Sequence, residues 1–149
     1  MHHHQQAERI IKAALEWAKT HANIFAVALV GSYAREQARP ESDIDLVILT
    51  SEPGWFHDVT TWCYAIDWAT VGARPVNWQG ESYGLLWSCR LWLEDNGGEI
   101  EFGFVPPAWA DVHPVDTGTR QVITDGCRIL HDPQGLLKRV CAAVETGPS

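Results

Sequence analysis

Positive charge is scarce in this chain: 11 Lys and Arg stand against 19 Asp and Glu, a formal charge of -8 over 149 residues. A general nucleic-acid binder carries a basic excess to meet the phosphates, so nucleic acid is the least expected partner. Cysteine is sparse too. Cys63, Cys89, Cys127 and Cys141 lie far apart with no CxxC pair; that spacing excludes the common zinc sites and fits reduced thiols. No apolar run reaches the length of a membrane span, and Met1 leads into His and Gln rather than a signal peptide, so no membrane contact and a cytoplasmic location are expected. Internal repeats, linkers and low-complexity tracts are also missing. The chain therefore reads as one domain over 1–149, with residues 1–5 expected to be disordered and His2, His3 and His4 kept out of any site argument.

The 46% of hydrophobic residues suffices for a core. Ile10, Ile11, Ala14, Leu15 and Ala18 recur at helical spacing over 6–21. Residues 24–30 form an unbroken apolar run, which predicts a strand covered on both faces. Gly31-Ser32 ends it, a short helical turn is expected over 33–37, and Arg39-Pro40-Glu41-Ser42 is a loop. Over 43–49 the pattern alternates, putting Asp43, Asp45 and Val47 on one face. Trp55, Val59, Trp62 and Ile66 suggest a second amphipathic helix, whereas 67–82 carries no assignable pattern. A hairpin follows: a strand over 85–93, a turn at Asp95-Asn96-Gly97-Gly98 and a return strand over 99–105 with Glu99, Glu101 and Gly103 on one face. The tail predicts a helix near 117–124, a strand at 128–130 and a last helix over about 134–144. The fold class is α+β, a mixed central sheet flanked by helices.

The informative stretch is Gly31-Ser32, ten residues, then Asp43-Ile44-Asp45. Glycine after a buried strand lets the backbone approach a bulky ligand, and the Ser hydroxyl and nearby amides can hold phosphate oxygens. Two carboxylates at i and i+2 on a strand share a face, and crowded like charge costs free energy unless a cation is shared. Mg²⁺ suits such a pair, because it takes one or two carboxylates together with substrate phosphates. A third carboxylate completes a two-metal arrangement. Glu99 and Glu101 are its candidates; Glu101 is favoured because Ile100 and Phe102 bracket it, while Glu99 adjoins the turn.

Gly31-Ser32-Tyr33-Ala34-Arg35 through Ser42-Asp43-Ile44-Asp45-Leu46-Val47 resembles the signature of the polymerase-beta-like nucleotidyltransferase superfamily, in particular its minimal and antibiotic-modifying members. The resemblance implies the nucleotidyltransferase fold and an enzyme that moves a nucleoside monophosphate, AMP from ATP or another nucleoside triphosphate, to an unidentified hydroxyl-type acceptor. It implies nucleotide binding by Gly31, Ser32, Arg35 and Ser42, and Mg²⁺ binding and catalysis by Asp43, Asp45 and Glu101.

Plainer readings stand beside these. Most of the eight tryptophans are packing residues, although Trp87, Trp92 and Trp109 are candidates for an acceptor pocket. His57, His113 and His131 read as surface residues, Asp116 and Asp132 as caps, and Arg90 and Arg120 as solvated by default. The competing function is a nucleotide-binding partner module, such as the antitoxin half of a nucleotidyltransferase toxin–antitoxin pair. In that case a helical protein partner or a homodimer would complete the unit.

Overall fold

A computed structural model describes residues 2–39 and 42–146. Met1, within the expected disordered leader, and Pro40 and Glu41, within the expected loop, lie outside the described residues.

Helix α1 spans His2–Lys19 and strand β1 spans Ile24–Val30. β2 covers Ile44–Thr50, α2 Pro53–Asp58, α3 Trp68–Val71 and β3 Pro75–Tyr83. β4 is Leu86–Leu93 and β5 Glu99–Val105; α4 is Thr117–Asp125, β6 Cys127–His131 and α5 Leu136–Thr146. The strands form one sheet in the order β3-β4-β5-β2-β1-β6. β2 and β5 run parallel and every other neighbouring pair is antiparallel. The architecture is the expected mixed-sheet α+β class.

One face of the sheet packs Leu46, Ile48, Ile100, Phe102 and Phe104 against Ile10, Ala14 and Trp17 of α1 and against Phe56, Trp62 and Trp68. On the other face Ala26, Ala28, Val47 and Leu49 meet Trp109, Ile123, Leu137 and Val140. This explains the unbroken apolar run of β1, where all residues but one are buried because helices lie on both sides. α4 and α5 cover the second face only around β1, β2 and β6. The β5-β4-β3 half of that face is left open, and there the polar residues gather.

Two expectations are corrected. The amphipathic helix over Trp55, Val59, Trp62 and Ile66 is broken: α2 ends at Asp58, a 3₁₀ segment follows over Thr60–Ala65, and Ile66 is extended. The apolar spacing is met by two short pieces, and the Trp62 and Trp68 indole N–H groups donate to the carbonyls of Phe56 and Cys63. The unassigned stretch 67–82 contains α3 and most of β3. β3 is an edge strand exposed along nearly its whole length, so burial imposes no alternation that a sequence pattern could reveal.

Candidate active site

Strand register assembles the site. Val30 pairs with Asp45, Asp45 with Glu101, Glu101 with Arg90, and Arg90 with Gln79. Paired residues on adjacent strands point to the same face, so these five side chains form one row running from the covered half of the sheet into the open half. β2 and β5 are distant in sequence, yet their parallel pairing sets two carboxylates side by side.

Gly31 closes the row at the end of β1. Its φ of +78° is a left-handed conformation, and a Cβ there would stand 2.7 Å from Asp45 Oδ2. Only glycine lets the chain turn this closely past the carboxylate. The helical turn expected over 33–37 lies earlier, as a single 3₁₀ turn at Gly31–Tyr33, shorter than needed to build a macrodipole. The Gly31 N–H donates to the Gly126 carbonyl at 3.3 Å, and the Gln37 N–H to the Ser32 carbonyl at 2.9 Å, which fixes the loop. The Arg35 guanidinium donates to the Asp125 carbonyl at 2.6 Å and to Gln37 Oε1 at 3.2 Å. It acts as a strut between the loop and the end of α4. Ser42 Oγ accepts from the Arg39 N–H at 2.8 Å and closes the loop that leads into Asp43.

The electrostatics are dominated by carboxylates. Burial, followed by the neighbouring Glu101, pushes the Asp45 carboxyl up to about 7. Asp43 is also raised, by burial and then by Glu99. Arg90, assigned to solvent by default above, instead lies at the centre of the cluster. It reaches Asp43 Oδ2 at 2.9 Å, Glu99 Oε2 at 3.0 Å and Glu101 Oε1 at 3.4 Å. The Ser88 hydroxyl donates to Glu101 Oε2. Glu99, which the sequence left beside the turn, is thus part of the network.

Two clefts border Glu101. One, of about 270 Å³, is lined by Gln79, Glu81, Tyr83, Ser88, Arg90 and Trp92. The other, of about 290 Å³, lies nearer Gly31 and is walled by Val30, Asp45, Val47, Leu86, Gly103 and Val122. Of the tryptophans proposed for an acceptor pocket, Trp92 lines the first cleft, whereas Trp87 and Trp109 are buried. Arg90 and Ser88 were legible in principle. They are the polar residues among apolar ones on β4, two apart on one face, and the hairpin sets Ser88 opposite Gly103 and Arg90 opposite Glu101. Gln79, Glu81 and Tyr83 carried no such signal, because β3 itself had none.

The sequence model of a nucleotidyltransferase domain family matches residues 8–95, more than half of the chain. The chain belongs to that family. It is therefore an enzyme of nucleotidyl transfer, and the matched segment contains β1, the Gly31-Ser32 turn, Asp43 and β2 with Asp45. No curated protein matches the chain. Glu101 lies beyond the matched segment and joins the site through the β2–β5 pairing.

Members of such a family use a divalent metal, and the donors here fit one: they are hard carboxylate oxygens, and Asp43, Glu99 and Glu101 gather around a single guanidinium. Among the described residues no three Asp, Glu, His or Cys side chains converge tightly enough to hold an ion as they stand. In the same cluster Arg90 pairs with Asp43 and Glu101.

Proposed function

We propose that the protein transfers a nucleoside monophosphate, AMP from ATP, to a hydroxyl group of a small acceptor, with Mg²⁺ held by Asp43, Asp45 and Glu101. The observation that carries this reading is the in-register Asp45–Glu101 pair beside the Gly31 turn. The metal would supply charge neutralisation at the phosphates and lower the acceptor hydroxyl's pKa. Ser32 and the backbone of its turn would meet the triphosphate. The largely apolar cleft on the Gly31 side offers Val30, Val47, Leu86 and Val122 to the flat faces of a base. The polar cleft beyond Glu101 offers Gln79, Glu81, Tyr83 and Trp92 to the acceptor.

In this arrangement the acceptor oxygen attacks the α-phosphorus, the bond to the bridging oxygen breaks, and pyrophosphate leaves. Glu101 borders both clefts and receives the acceptor proton. The test is transfer of α-labelled ATP to a panel of polyols and amino alcohols. Wild type should label at least one acceptor, and Glu101→Gln should lower that rate by about 10²-fold or more. Equal rates for the two proteins would remove Glu101 from the mechanism.

The partner-module reading is favoured by β3, an edge strand that exposes Val76 at 64%, Trp78 at 41% and Tyr83 at 56%. Such an edge accepts a further strand or an apolar partner surface. Light scattering of the purified chain distinguishes a homodimer from a monomer that awaits another protein.

A further inference from the structure

Arg90 is the residue the motif does not explain. Its guanidinium touches three carboxylates, yet its side chain is 36% exposed and theirs are 26–33% exposed. Ion pairs at that exposure contribute little to folding, so fold stability is a weak reason to gather these groups here. Their placement is informative at the atomic level. Glu101 has both oxygens engaged, Oε1 by Arg90 and Oε2 by Ser88, and Asp43 presents Oδ2 to Arg90. Neither can turn fully to a metal while Arg90 holds it. Glu99 is the third partner, contacted by the same Nη1 that holds Asp43.

We propose that Arg90 is a resident counter-cation: it holds Asp43 and Glu101 in place for the metal, yields them when the ion enters, and retains Glu99 as its own partner. The inference rests on the metal reading given above. It assigns different tasks to the two glutamates of β5, with Glu101 a ligand and Glu99 the residue that keeps the displaced guanidinium in the site. It also accounts for four carboxylates on one small surface. Without a built-in cation, Asp43, Asp45, Glu99 and Glu101 would repel one another in the metal-free protein. The guanidinium fork matters as well as its charge, because Nη1 reaches Asp43 and Glu99 while Nη2 reaches Glu101.

The test is a thermal-shift titration with MnCl₂ alone, at constant ionic strength, on wild type, Arg90→Gln and Arg90→Lys. Manganese suits oxygen ligands, and no acceptor or nucleotide is needed. Without metal, R90Q should melt below wild type, since the carboxylates lose their counter-charge. Its half-maximal stabilisation should come at about tenfold lower Mn²⁺, because the ion no longer displaces an arginine. R90K keeps the charge and loses the fork, and its midpoint should fall about threefold. An R90Q midpoint equal to or above that of wild type overturns the proposal. So does an R90K midpoint equal to wild type beside a lowered R90Q, which reduces Arg90 to a distant charge. If none of the three proteins responds to Mn²⁺, the metal reading itself has failed, an outcome distinct from the other two.

Discussion

At the scale of single residues, Asp45 carries the sharpest consequence. Its carboxyl moves from an ordinary 3.8 to about 7, through burial and then the charge of Glu101. A raised carboxyl favours the folded state fully only below its unfolded value, and that contribution is lost as the pH climbs through the folded value. The metal-free protein should therefore lose stability from this group between about pH 4 and 7. Asp45→Asn does not titrate. Its melting temperature should come closest to wild type near pH 4 and exceed it by several degrees near pH 8.5, on the order of 1–3 kcal/mol. Melting curves across that range check this; a difference independent of pH would show that Asp45 ionises as an ordinary aspartate. The same substitution should abolish transfer, so stability and activity move in opposite directions.

At the scale of elements, the turn after β1 and the pairing of β2 with β5 make the site. Gly31→Ala places a methyl group 2.7 Å from Asp45 Oδ2 at a positive φ. We expect about 1–3 kcal/mol of destabilisation and at least about a tenfold loss of transfer rate. Wild-type melting and turnover in this variant would mean that the turn is not held as described. The readability of the sequence divides along the same line. Gly31-Ser32 and Asp43/Asp45 were legible because a buried strand ending in glycine and an alternating strand beside it each impose a local pattern. Glu101 was legible because Ile100 and Phe102 bracket it. The adjacency of Glu101 and Asp45 was not, since a parallel pairing between distant strands leaves no local trace. β3, which supplies Gln79, Glu81 and Tyr83, went unassigned because an exposed edge strand needs no alternation. The helix expected over Trp55 to Ile66 shows the converse, apolar spacing that two shorter pieces satisfy equally well.

At the scale of the whole molecule, the family match ends at Asp95, yet β5 joins β2 to β4 at the centre of the sheet. Ile100, Phe102 and Phe104 on β5 are fully buried. A fragment ending at residue 95 would thus lack both the sheet's central strand and Glu101. Its circular dichroism should show no cooperative melt, whereas the full chain should unfold in one transition; a cooperative fragment would show that β5 is dispensable to the core. The acidic total of -8 also bears on partners, since it favours cations over polyanions. Among the described residues no helix is long and apolar enough to cross a membrane.

The central claim is that the Gly31 turn and the carboxylate row bind a nucleoside triphosphate together with a divalent metal. The most direct measurement is a thermal-shift titration with ATP, GTP, CTP and UTP, each with and without Mg²⁺, on wild type and on the Asp43→Asn/Asp45→Asn double variant. Ligands that bind only the folded state raise the melting temperature by mass action, about 2.7 kcal/mol at a hundred times Kd. With ATP, wild type should show a rise that requires Mg²⁺ and vanishes in the double variant. A flat response to all four nucleotides in wild type, or an unchanged shift in the double variant, would contradict it.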